Sequence, residues 1–259
     1  MNCIKNKPLI SVIVPLYNYR KYIGYCIQSI INQTYENWEL IVVDDCSTDS
    51  SYEDAKKFVK KDNRIRVIKL LKNSGYSKAK NEGIILSKGE YIVTLDADDM
   101  MTKKSLEIRL KVAIKYGVYF IYANAFFVKD NISLDKCYST NSHKINKSLD
   151  LYNIHAQSVM MKRIVHIKYG LYDEKLRSRA DREMWWRLFG KNKSDEQKIS
   201  SYYLDKTVAY YRYYRYSMWR KRKRKNKIDE KVIRMSENAY KKRKQEGITK
   251  ENTRFLKGD

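Results

Sequence analysis

The sequence predicts an α/β fold: a mostly parallel sheet flanked by helices, then a C-terminal region and a basic helical tail. Two observations predict the sheet. Short apolar runs alternate with stretches of helical periodicity, and polar residues close each run. The run "LISVIVP", Leu9 to Pro15, has the length and β-branched content of a buried strand. Ile23, Cys26, Ile27, Ile30 and Ile31 follow at i, i+3, i+4, i+7 and i+8, the apolar stripe of a helix. "LIVVDD" gives a second strand, Tyr52 to Lys60 a second helix, "IRVIKL" a third strand and Ser77 to Leu86 a third helix. "YIVTL" is the fourth strand, followed by a helix from Lys103 to Tyr116 and the strand "VYFIYAN". Strictly alternating units of this length imply parallel strands with helices on both faces.

An open parallel sheet binds ligands outside the carboxyl ends of its strands. Polar residues stand at those ends: "PLYN", "DDCSTD", "NSG" and "DADD" after the first to fourth strands. Asp and Asn are ordinary turn residues, which accounts for one such loop. Four in succession predict loops converging on one crevice. A dinucleotide site would show GxGxxG at the first turn, but "PLYNYRKYIG" has only Gly24, already inside the helix. No GxxxxGK[ST] occurs either, so dehydrogenase and P-loop chemistries are excluded.

A phosphate cradle without glycines needs another source of positive charge. "YIVTLDADDM" crowds Asp96, Asp98 and Asp99 together in a chain that otherwise carries 54 Lys and Arg against 30 Asp and Glu. A hard divalent cation, Mg²⁺ or Mn²⁺, would offset that crowding and hold a nucleoside diphosphate. The competing reading is a solvated turn in which Asp99 or Thr102 caps the next helix.

The formal charge of +24 favours polyanionic partners without choosing one. Cys3, Cys26, Cys46 and Cys137 are scattered, with no zinc-ligand spacing, which fits a reducing, cytoplasmic compartment. No signal-peptide core follows Met1, and no apolar run approaches the roughly 20 residues that span a bilayer. The expectation is a soluble protein, at most peripheral at a membrane surface.

Taken together, "SVIVPLYN", "SIINQTYENWELIVVDDCSTDSS", "NSGYSKAKNEGI", "KGEYIVTLDADD" and "GLYDEKLRSRADREMWWRL" resemble the successive motifs of the family 2 glycosyltransferases, inverting enzymes of the Rossmann-like GT-A fold. The resemblance runs in order from Leu9 to Arg212. It implies that Pro15 and Tyr17 flank the base of a nucleotide diphosphate sugar, for which the resemblance suggests UDP although members using other nucleotides exist, and that Asp45 hydrogen-bonds the base edge. It makes "DADD" a DXD-type motif, with Asp98 nearer the ribose and Asp99 the foremost ligand of the Mn²⁺ or Mg²⁺. It makes Asp181 the base that deprotonates an acceptor hydroxyl on a glycan or lipid-linked acceptor. Inversion needs one such carboxylate and one cation for the leaving group, with no covalent intermediate.

Three departures accompany the resemblance. The Arg of the family's "ARN" segment is Lys80, placed with the nucleotide, which keeps the charge and loses the planar fork. The acid preceding the base is Ala180, and the His found after "YR" in many relatives is replaced in "YYRYYRYS" by Tyr214. Around Asp181 some alternatives stay open: Trp185 or Trp186 stacks on a sugar face or both are core aromatics, and His155 is a structural residue or a substrate contact. Glu183 is expected to point elsewhere, as a control.

The expected organisation is a nucleotide-sugar half over 1–125, an acceptor and catalytic-base half over 126–218 and a basic tail over 219–259. The tail carries "RKRKRKNK" from Arg220 to Lys227, and over Arg220 to Asp259 it has 16 Lys and Arg against 6 Asp and Glu. Three readings compete: a solvated end, contact with an anionic membrane through the cations and the neighbouring "YRYYRYSMW", and nucleic-acid binding, for which no motif is present. A sugar nucleotidyltransferase should open with a Gly-rich basic loop that this chain lacks, and a noncatalytic binding protein should have lost Asp99 or Asp181, which are present.

Overall fold

The computed structural model describes residues 7–129, 154–176, 179–189 and 199–213. Tyr214 and the basic tail lie outside them. The elements alternate as the periodicities require: β1 (Ile10–Leu16), α1 (Arg20–Ile31), β2 (Trp38–Asp44), α2 (Ser51–Val59), β3 (Ile65–Lys69), α3 (Tyr76–Ile85), β4 (Tyr91–Thr94), the two-residue β5 (Met100–Met101), α4 (Ser105–Tyr116) and β6 (Phe120–Lys129). Then come β7 (Met160–Lys162), α5 (Arg163–Tyr169), α6 (Ala180–Phe189) and β8 (Ser201–Tyr213).

The sheet order is β3-β2-β1-β4-β7-β6-β8-β5. Strands β3, β2, β1 and β4 run parallel in continuous register. The sheet is mostly parallel, as expected, and the exceptions fall in its second half. The short β7 enters antiparallel between β4 and β6, and β5 lies antiparallel on β8, while β6 and β8 are parallel. β7 arrives from beyond the crossover units, so no helix fixes its direction. β6 outruns the predicted "VYFIYAN" because β8 pairs with it as far as Lys129 opposite Tyr213.

β1 and β2 are buried throughout because both sheet faces are covered. Ile10, Val12 and Val14 face a cluster with Ile23, Ile27 and Ile30 of α1 and Leu106 and Leu110 of α4. Ile13, between them, faces the opposite cluster with Ala79 and Ile84 of α3 and Met184, Trp185 and Leu188 of α6. A Cβ on Gly83 would come 2.3 Å from Cγ2 of Ile13, so only glycine lets α3 lie this close to β1. α4 stops at Gly117, whose φ of 62° supplies the left-handed end that most side chains resist. Among the described residues no helix is long and apolar enough to cross a membrane.

Candidate active site

The four strand-end loops do converge, and hydrogen bonds join them in chain order. Asn18, left-handed at φ 58°, donates its N–H to Ser47 Oγ at 3.0 Å and accepts from Thr48 N–H at 2.8 Å through Oδ1, tying the first loop to the second. Asp45 ties the second to the third, its two carboxylate oxygens accepting from the N–H groups of Ser74 at 2.6 Å and Gly75 at 2.7 Å. The hydroxyl of Tyr76, at the start of α3, donates to Asp96 Oδ1 and ties the third to the fourth. Pro15 lies in the last paired residues of β1, and Tyr17, just beyond the strand, is 41 % exposed. Asp45 is buried, and the structure places it first of all as a loop tie.

Carboxylate oxygens of Asp96, Asp98 and Asp99 lie within 4.8 Å of one another. Asp99 is 1 % exposed; its Oδ1 accepts from Arg212 N–H at 2.7 Å, while Oδ2 has no hydrogen-bond partner. Burial pushes the Asp99 carboxyl well up, and the charges of Asp98 and Asp96 push the same way. The capping alternative fails here. α4 begins at Ser105 after Lys104 with no side-chain cap, and the Thr102 hydroxyl donates to Thr207 O at 3.2 Å instead. An orphaned buried carboxylate oxygen among three clustered carboxylates fits a hard divalent cation.

Lys80 is 1 % exposed on α3, with Nζ 4.7 Å from the Tyr76 ring centroid and 4.3 Å from that of Tyr172. Its Nζ has no hydrogen-bond partner, so its charge is satisfied by two ring faces and by the field of nearby carboxylates. Burial raises the Asp96 carboxyl and Asp181 adds to the rise, while Lys80 and the Tyr76 hydroxyl hold it down. Asp181, in the first turn of α6, therefore shares the crevice with a loop 85 residues earlier in the chain. Arg179, at φ 62°, turns the backbone into α6 just before it.

The surroundings of Asp181 narrow one of the open alternatives. Trp185 is fully buried, edge-on to Phe120 at 4.9 Å, and is a core aromatic; Trp186 is half-buried. His155 lies 5.8 Å from the Tyr211 ring, and its pKa is lowered by burial against the opposing charge of Asp181. Glu183 points away from the crevice as expected, but it is no neutral control. It is fully buried and receives Arg187, with Nε 2.8 Å from Oε1 as an off-line ion pair and Nη2 donating to Oε2 at 2.9 Å. Arg187 also donates to Tyr169 O and, at 2.8 Å, to Leu171 O, pinning α6 to the loop before it. Glu183→Gln strips one charge from this buried pair and is expected to destabilise the fold by about 3–5 kcal/mol, read as a lowered urea midpoint.

Tyr76 and Arg212 were not among the residues that the sequence marked. Arg212 sits on β8, 113 residues from Asp99, and donates Nε–H to Asp98 O at 2.9 Å besides its backbone bond to Asp99. The run "AYYRY" at the end of β8 carries no two-residue alternation that would single this cation out.

A sheet of this order with an acidic loop at the carboxyl end of its fourth strand is the GT-A glycosyltransferase fold. The S. aureus TarS fragment 1-349 in complex with UDP has the same fold, with a TM-score of 0.66 and 23% identity, covering 79% of this chain and 60% of that one. The family model for glycosyl transferase family 2 matches residues 11–163, and the chain belongs to that family. Glycosyltransferase GlyG of Streptococcus pneumoniae is 48% identical over 99 residues, covering 38% of this chain and 33% of GlyG. The Escherichia coli UDP-Glc:alpha-D-GlcNAc-diphosphoundecaprenol beta-1,3-glucosyltransferase WfgD is 31% identical over 155 residues, 60% of each chain. The chain thus matches less than two thirds of the length of these curated relatives.

Proposed function

We propose that this chain is an inverting glycosyltransferase that moves a hexosyl or N-acetylhexosaminyl group from a nucleotide diphosphate sugar to a hydroxyl of a glycan or lipid-linked acceptor. The observation that carries the reading is the orphaned Asp99 Oδ2 inside a three-carboxylate cluster that shares one crevice with Asp181. Asp99, with Asp98 and Asp96, would hold Mn²⁺ or Mg²⁺. The ion supplies positive charge for the diphosphate as it leaves. Pro15 and Tyr17 flank the base, Asp98 faces the ribose and Lys80 adds a cation on the nucleotide side. Asp45 reaches the base edge through lone pairs left over from its two amide bonds.

Asp181 takes the proton of the attacking hydroxyl, so that its oxygen does not become a positively charged oxonium as its bond to the anomeric carbon forms and the nucleoside diphosphate leaves. A uridine donor is supported by the name of WfgD and by the UDP bound to TarS, and a lipid-linked acceptor by the diphosphoundecaprenol in the name of WfgD. In this reading residues 1–125 form the donor half, 126–218 the acceptor half, and the tail at 219–259 meets an anionic membrane on the cytoplasmic side. Incubation with UDP-, GDP-, ADP- and dTDP-sugars is expected to release nucleoside diphosphate from one class only, with Mn²⁺ and not with EDTA. Release from none of them, or release unaffected by EDTA, contradicts the proposal.

A further inference from the structure

Arg212 is 4 % exposed, yet its guanidinium has no carboxylate ion pair among the described residues. Its Cζ lies 4.7 Å from the Tyr22 ring centroid, and Nε–H is spent on Asp98 O. Nη1 is buried without a hydrogen-bond partner, and the Arg212 backbone N–H bonds to Asp99, whose Oδ2 is also without one. A buried donor and a buried acceptor left open on neighbouring residues, and not closed on each other, mark a space that a polar ligand completes. A cation on Asp99 alone would leave the Nη1 donor open. A cation carrying a phosphate oxygen would close both.

The hydrogen bonds say where a diphosphate would meet it. Asp45 follows β2, whereas Arg212 on β8 is tied to Asp98 and Asp99 of the loop after β4. A nucleotide with its base at Asp45 and its diphosphate on a cation at Asp99 therefore brings its phosphates to Arg212. We propose that Arg212 is a second cation of this site and that its Nη1 donates to the β-phosphate of the nucleoside diphosphate, the phosphate whose oxygen gains charge when the sugar leaves. This rests on the donor reading above. The Tyr22 ring and the Asp98 carbonyl orient the guanidinium beforehand, so little reorganisation accompanies binding.

The test uses the full chain with Mn²⁺ and titrates the di- and monophosphates of uridine, guanosine, adenosine and thymidine into wild type, Arg212→Gln and Arg212→Lys. Losing a charge-assisted hydrogen bond to the β-phosphate is expected to cut the preference for diphosphate over monophosphate by about tenfold to a hundredfold in Arg212→Gln. Arg212→Lys should recover part of it. If Arg212 merely props the acidic loop, both affinities fall together and the preference is unchanged, which overturns the assignment, as does an unchanged diphosphate affinity. If wild type binds no nucleoside diphosphate at all, the donor reading fails with it, and that outcome is told apart by wild type alone.

Discussion

Asp181→Asn is expected to lower glycosyl transfer by about 10²–10⁴-fold while donor binding stays within a few-fold of wild type. An acceptor hydroxyl is too weak an acid to ionise at neutral pH, so its proton must leave as the bond to the sugar forms. Asn keeps the shape of the side chain and cannot take that proton. The fold should survive, because α6 starts at Ala180 and Asp181 belongs to its first turn, where a carboxylate contributes about 0.3–1 kcal/mol through the helix dipole. The buried Glu183–Arg187 pair, which anchors α6, is untouched. Initial rates on the acceptor, titration of the donor and a melting curve separate the three effects. Transfer within a few-fold of wild type would show that another group takes the proton.

The second large effect lies at Asp99. A ligand present at a hundred times its Kd stabilises the folded state by about 2.7 kcal/mol, and Asp99→Ala is expected to remove that gain for UDP with Mn²⁺. The alanine variant also orphans the Arg212 N–H that Asp99 Oδ1 accepts, so Asp99→Asn is its companion. Asn preserves that hydrogen bond and removes the charge that the metal needs. Both variants should melt at the same temperature with or without UDP, as should wild type in EDTA. Undiminished stabilisation in Asp99→Asn would separate nucleotide binding from a metal at this carboxylate.

The first half of the fold was legible because β1, β2 and β4 are buried along their whole length and read as mainly apolar runs, while the edge strand β3 still shows Ile65, Val67 and Ile68. β7 was harder: three residues show the strand, but not its antiparallel direction, which depends on where the second half returns. β8 carries tyrosines along most of its length, in "SYYLDKTVAYYRY", and the contrast between its faces is weak. The acidic cluster was legible because its members are nearly contiguous. Lys80 was placed by resemblance, and its sandwich between Tyr76 and Tyr172 depends on α3 meeting a loop more than 90 residues later. Arg212 was beyond reach for the same reason. Glu183 and Arg187 stand four apart on one helix, so their pairing was readable, but their complete burial was not.

Crystals grown with UDP and MnCl₂, measured at the manganese absorption edge, test the central claim most directly. The account predicts one anomalous peak within roughly 2.0–2.6 Å of Asp99 Oδ2, the range of oxygen ligands around hard cations, in contact with the diphosphate. UDP seated in the crevice with no such peak, or a manganese ion away from Asp96, Asp98 and Asp99, would contradict it.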